Sequence, residues 1–119
     1  MAEGFANHYG GDVLRASSAG LAPIPKIAPD TLRVMQELNV DVSAHVPQPY
    51  DPREAQRYDL VVNMSGIRLP GPPPRQVIEW NVVDPYRCPL DVYRSTRADL
   101  EQRVMRLILE LRKRSKKTA

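Results

Sequence analysis

Cysteine is almost missing from this chain. Cys88 is the single thiol in 119 residues, so no disulfide can close within it, and the expected setting is a reducing one, the cytoplasm. Long apolar runs are missing too. No window approaches the roughly 18 consecutive apolar residues of a membrane span, and the first residues have neither the basic start nor the apolar stretch of a secretory leader. No membrane association is therefore expected. His8 and His45 stand far apart, with no cysteine or carboxylate cluster at ligand spacing, which argues against a zinc or iron centre. A glycine-rich nucleotide loop is also lacking, so neither metal nor cofactor is expected. There are no internal repeats.

What is present suits one small domain spanning residues 1–119, with 42% apolar and 26% charged residues. The net charge of +3 is concentrated at one end. Arg112, Lys113, Arg114, Lys116 and Lys117 make residues 112–119 a basic tail. Such a tail can meet anionic surfaces, but it also suits a solvated helix end, where cations face the negative pole of the helix dipole. The second reading is preferred, with no nucleic-acid partner.

Periodicity divides the chain into elements. Ala2, Phe5, Ala6 and Tyr9 recur at helical spacing before Gly10-Gly11, predicting a short amphipathic helix. Val13 to Ala16 reads as a strand entering the small-residue loop Ser17-Ser18-Ala19-Gly20. Prolines interrupt residues 21–29, and a second helix opens at Pro29 or Asp30, turns Leu32, Met35 and Leu38 to one face, and ends near Asn39. Val40 to Pro52 is connection. The apolar run Tyr58 to Met64 suits a strand buried in a parallel sheet, and Val77 to Val83 is another, broken by Asp84-Pro85. Between them, Gly66, Pro70, Gly71, Pro72, Pro73 and Pro74 rule out a helix in residues 65–75. Arg97 to Lys113 is the clearest helix, with Leu100, Val104, Leu107, Ile108 and Leu111 on one stripe. The expected class is α/β, a mostly parallel sheet covered by helices.

Four segments in order, Met1-Ala2-Glu3-Gly4-Phe5, Ser18-Ala19-Gly20, Tyr58-Asp59-Leu60-Val61-Val62 and Asp84-Pro85-Tyr86, resemble the low-molecular-weight protein tyrosine phosphatase and arsenate reductase family. Together they cover essentially the whole chain. The resemblance implies a three-layer sandwich of the phosphotyrosine protein phosphatase I type. In that family a first, central strand delivers a loop of Cys, five residues, Arg and Ser or Thr, which runs into a helix reading like Met1 to Phe5. Its thiolate attacks phosphorus while backbone amides, the arginine fork and a helix N-terminus hold the oxygens. Those parts would precede Met1, so the chain is expected to be a truncated domain lacking that strand and the nucleophile. The neighbours of the missing strand, Val13 to Ala16 and Tyr58 to Met64, are then expected to pair directly or to be covered by a second copy.

The resemblance makes Asp84 the general acid that protonates the leaving oxygen, although Asp-Pro is also an ordinary turn former. It places Tyr86 on the rim against a substrate ring, with packing on the last helix as the alternative, and it makes Ser18 a brace for the phosphate loop. Cys88-Pro89-Leu90-Asp91-Val92-Tyr93-Arg94-Ser95 also fits the Cys, five residues, Arg, Ser pattern. Physics opposes it as a second loop: Pro89 removes a donor beside the thiol, no glycine eases the curvature, and Asp91 sets a negative charge where the oxyanion would sit. The implied activity of the complete family is hydrolysis of phosphorylated proteins or small phosphomonoesters through a cysteinyl-phosphate. This chain itself is expected to be inactive. Asp84-Pro85-Tyr86 and the single thiol favour the phosphatase branch. An arsenate reductase, which needs further thiols, and a non-catalytic dimeric interaction module are the alternatives.

Overall fold

The computed structural model describes residues 1–22 and 26–118, with side chains to 114. The middle of the proline-interrupted segment 21–29 and the side chains of Lys116 and Lys117 in the basic tail lie outside the described residues.

Helix α1, Ala2–Gly10, forms where the helical spacing predicts it, with Glu3 in the first turn facing the positive pole. Phe5 and Ala6 are buried, and the rings of Phe5 and Tyr9 stack 5.9 Å apart. Gly10 is buried because a Cβ there would stand 2.8 Å from Ile108 Cγ1. Its lack of a side chain sets the approach to the last helix. Helix α2, Pro29–Gln36, starts on a proline at its first position. It ends where Asn39 takes a left-handed φ of 59°, and the Val40 amide donates back to the Met35 carbonyl at 3.1 Å. That reversal returns Val40 to the core, 1% exposed.

A short helix α3, Pro52–Ala55, interrupts the expected connection, since Asp51 caps it by accepting the Arg53 amide at 2.9 Å. Strands β1, Val61–Asn63, and β2, Val77–Glu79, pair in parallel with Val61 opposite Val77 and Asn63 opposite Glu79. The proline-rich segment 64–76 makes the crossover in place of a helix. The strands are shorter than the apolar runs that predict them.

Helix α4, Leu90–Thr118, begins well before the expected Arg97. Its buried stripe is Tyr93, Thr96, Leu100, Val104 and Ile108. Against it α1 contributes Phe5 and Ala6, and α2 with the residue that follows contributes Met35 and Val40. Guanidinium groups fasten the seams. Arg94 and Arg97 both grip the Glu37 carboxylate, at 2.8 and 2.6 Å, and Arg97 also donates to the Val34 carbonyl at 2.7 Å. Arg112, expected as part of the tail, instead holds Asp12 through two nitrogens and caps the Tyr9 carbonyl at 2.9 Å.

The result is a small α/β protein with a parallel sheet, the expected class, with one correction to the expected layout. Val13 to Ala16 is not a strand. Among the described residues it has no ladder partner and does not pair with β1, so the anticipated direct closure is not made. Its backbone is satisfied locally: the Val13 and Leu14 amides donate to the Gly10 carbonyl at 3.0 Å, and the Asn7 side chain donates to the Ala16 carbonyl and accepts its N–H, each at 2.9 Å. Further along, Gly20 forms a lone parallel bridge with Pro49, and Gln48 donates to the Ser18 carbonyl at 2.8 Å. The described sheet has two strands, and the helices pack mainly on one another.

The double grip of Arg94 and Arg97 lowers the Glu37 pKa from 4.5 to about 2. A depressed carboxylate pKa gives stability that is complete above the unfolded value and is lost as pH falls toward the folded one. Thermal melts should therefore show Glu37→Gln less stable than the parent at pH 6, with the gap narrowing from about pH 4.5 and closing near pH 2. A gap independent of pH would contradict this.

Candidate active site at the carboxyl ends of the strands

Parallel strands direct their carboxyl ends toward the crevice where ligands of open α/β sheets bind. Here two loops leave that edge.

The first follows β1 and is organised by Asn63, whose side chain is 3% exposed. Its Nδ2 donates to the Ile67 carbonyl at 2.8 Å and toward Glu79 Oε1 at 3.3 Å, while its Oδ1 accepts the Ser65 amide at 3.0 Å and the Ser65 hydroxyl at 2.6 Å. A buried amide must have its hydrogen-bonding capacity met, and this one meets it by folding residues 65–67 around itself. Gly66 supplies the left-handed φ of 78° that the bend requires. Beyond it, an open groove of about 690 Å³ runs past Ile67, Leu69 and Pro74 to Trp80, but neither Asp84 nor Cys88 lines it.

The second loop follows β2 and holds Asp84. The carboxylate is exposed and accepts the Tyr86 amide at 3.1 Å across Pro85. The Cys88 amide closes the next turn on the Pro85 carbonyl at 2.8 Å, with Arg87 between them at a left-handed φ of 64°. An exposed carboxylate on a stiff Asp-Pro turn can give a proton to a leaving oxygen brought to this edge. Tyr86 is 47% exposed and carries the Arg87 guanidinium 5.5 Å from its ring centre, so a cation occupies one of its faces.

The alternative loop from Cys88 to Ser95 does not form. Residues from Leu90 onward are the first turns of α4, since Pro89 opens the helix and its carbonyl accepts the Val92 and Tyr93 amides. Arg94 is turned away into its pair with Glu37. The Cys88 amide is used within its turn, so no cradle of inward-facing donors surrounds the half-buried thiol. Ser18 lies in the segment tethered by Gln48, and no hydrogen bond links it to the Asp84 loop among the described residues. Its neighbour Ser17 meets the Tyr58 hydroxyl at 2.5 Å.

Two residues that shape the site were not singled out from sequence. Asn63 is signalled by a lone polar residue near the end of an apolar strand. Tyr93, 2% exposed, would have emerged by extending the α4 stripe backward from Leu100 at intervals of three and four. Burial raises its phenol pKa, and the charges of Asp30 and Asp84 raise it further. Among the described residues, no group of three or more His, Cys, Asp or Glu side chains could hold a metal, and no helix is long and apolar enough to cross a membrane.

Comparison with known proteins places this geometry. The family profile "Low molecular weight phosphotyrosine protein phosphatase" matches residues 1–69. A glutaredoxin arsenate reductase of Synechocystis is 30% identical over 115 residues, covering 93% of this chain and 87% of the relative. An arsenate reductase of Bacillus subtilis is 33% identical over 92 residues, covering 74% and 66%. Among solved structures, an arsenate reductase in the reduced state superposes with a TM-score of 0.82 at 30% identity, over 92% of this chain and 86% of its own. One in the phosphate-binding state gives 0.79 at 29% identity, over 93% and 87%.

Replacing Asn63 with alanine strips partners from the Ser65 amide and the Ile67 carbonyl. It should cost about 1–3 kcal/mol in denaturant unfolding, with amide exchange at residues 65–67 accelerating first. Unchanged exchange in that loop would show that Asn63 does not organise it.

Proposed function

The chain belongs to the low molecular weight phosphotyrosine protein phosphatase family, and on that footing we propose that it is an arsenate-reductase-type member whose Asp84 acts as the general acid. The supporting observation is the likeness to arsenate reductases over nine-tenths of the chain, together with Asp84 exposed on the loop at the carboxyl end of β2. The phosphatase preference drawn from Asp84-Pro85-Tyr86 gives way here. The relatives compared are named arsenate reductases, and the Tyr86 ring already has the Arg87 guanidinium on one face.

The chemistry sets a requirement that the chain's own thiol does not meet. A thiolate attacks arsenic and displaces one arsenate oxygen, which leaves as water once protonated, the step assigned to Asp84. A second thiolate then attacks the sulfur of the new S–As bond. The bonding pair stays on arsenic, which departs as arsenite, and the two sulfurs form a disulfide. Two thiols thus supply two electrons. Cys88 is alone, and its turn offers no amide cradle. On this reading the nucleophile is one other than Cys88, and reducing equivalents are drawn from a thiol partner.

The 119-residue chain is accordingly expected to reduce arsenate and to hydrolyse p-nitrophenyl phosphate no faster than buffer containing a thiol reductant. Joining an apolar strand and a loop of Cys, five residues, Arg and Ser to Met1 should confer thiol-dependent arsenate reduction. Asp84→Asn should then lower that rate by about 10²–10⁴-fold. Hydrolysis of p-nitrophenyl phosphate without arsenate reduction by the extended chain would return the protein to the phosphatase branch. Turnover by the unextended chain that Cys88→Ser abolishes would overturn the assignment of the nucleophile.

A further inference from the structure

Apolar side chains crowd the carboxyl edge of the sheet without being buried there. Among the described residues nine large apolar side chains are exposed, and four of them, Met64 at 38%, Ile67 at 61%, Val83 at 63% and Tyr86 at 47%, sit on the two loops that leave β1 and β2. The loops share one surface, because Gly66, Ile67 and Arg68 line the open groove together with Glu79, Trp80 and Asn81. Such a patch marks a surface that another molecule covers, and the charges on it say which. Arg68 and Arg87 each follow one of the exposed apolar residues, Ile67 and Tyr86, and neither has a carboxylate partner among the described residues. The Asp84 carboxylate, three residues before Arg87, accepts a backbone amide and pairs with no cation among the described residues. A partner of one sign would set one of these groups against its like. A surface that holds both unpaired signs is matched by its own copy turned about a twofold axis, where each carboxylate meets the other copy's guanidinium.

We propose that the chain pairs with a second copy of itself through this patch, with Met64, Ile67, Val83 and Tyr86 at the centre and Asp84 of each copy meeting Arg87 of the other. The side chains suit the role, since aromatic residues, methionine and arginine are enriched where proteins meet. The apolar centre supplies most of the affinity, because ion pairs at an exposed rim contribute little, and the charges fix the orientation. Pairing covers Asp84, so the dimer withholds the carboxyl group that the monomer presents, and by mass action the covered fraction rises with concentration. This regulatory meaning rests on the reading of Asp84 as the acid. The association itself does not, and it is measured without any turnover.

The test is sedimentation equilibrium of the 119-residue chain over a concentration series from about 1 to 500 µM. A monomer–dimer equilibrium with a dissociation constant of roughly 10–100 µM is expected of a small patch. Ile67→Asp and Val83→Asp, both at exposed positions, should each weaken it about tenfold or more while circular dichroism stays that of the parent. The charges are tested by exchange. Arg87→Asp and Asp84→Arg should each weaken pairing about threefold or more on their own, because like charges then face each other. Mixed in equal amounts the two variants should associate again, and native mass spectrometry should show the mixed dimer in excess over either pure one. If Asp84→Arg disturbs its loop, Ile67→Asp and Val83→Asp still decide the matter. A chain that remains monomeric at the top concentration, a dimer indifferent to Ile67→Asp and Val83→Asp, or a mixture of the two folded charge variants with no excess of the mixed dimer would overturn the proposal. Loss of the arsenate reading alone would leave the association standing.

Discussion

Everything described here leans on the apolar stripe of α4. Phe5, Met35, Val40, Leu100, Val104 and Ile108 are each 5% exposed or less, and burying such side chains is worth about 1.5–3 kcal/mol apiece before conformational entropy is charged against it. No described strand pair approaches that scale, since β1 and β2 share three residue pairs and an isolated two-stranded ribbon is marginal in water. The sheet therefore does not template the helices in these residues. The helices form a frame, and the two strands with their loops are set against it through Trp80 and Val82 at the edge of the core.

The charged groups follow the same geometry. Arg94, Arg97 and Arg112 sit on α4 and reach Glu37 at the end of α2 and Asp12 after α1. These pairs are partly solvated, where attraction is modest. What they add is registry, because a planar guanidinium with two or more partners admits few relative placements of the helices it joins. Arg97 does so twice, through the Glu37 carboxylate and through the Val34 carbonyl. The orientation of α4 that results buries Tyr93 in its first turns.

Much of this was legible in the amino acids, and the exceptions have particular causes. Helical spacing located α1, α2 and the body of α4, and the two apolar runs became the two strands. Asp84 at the exit of β2 followed from Asp-Pro alone. The missing first turns of α4 trace to Pro89, which reads as a breaker but opens a helix when it stands before the first turn. Val13 to Ala16 failed as a strand because a short, partly apolar run shows only that a segment can extend, whereas a ladder needs a neighbour. The branch of the family is harder to read for a different reason, and the likeness to arsenate reductases favours what the sequence offered as an alternative. An acid at Asp84-Pro85-Tyr86 would serve either chemistry, while reduction is distinguished by thiols, and this chain holds one.

The stretch leading to Ser18 is held by carboxamides. Asn7 answers both backbone groups of Ala16, and Gln48 answers the Ser18 carbonyl. A carboxamide, unlike a backbone ladder, is subject to slow hydrolysis. Conversion of Asn7 to aspartate would keep the acceptor for the Ala16 N–H but turn an anionic oxygen, in place of a donor, toward the Ala16 carbonyl. The attachment of this segment to α1 thus has a chemical lifetime as well as a free energy, and its loss would leave the helical frame intact.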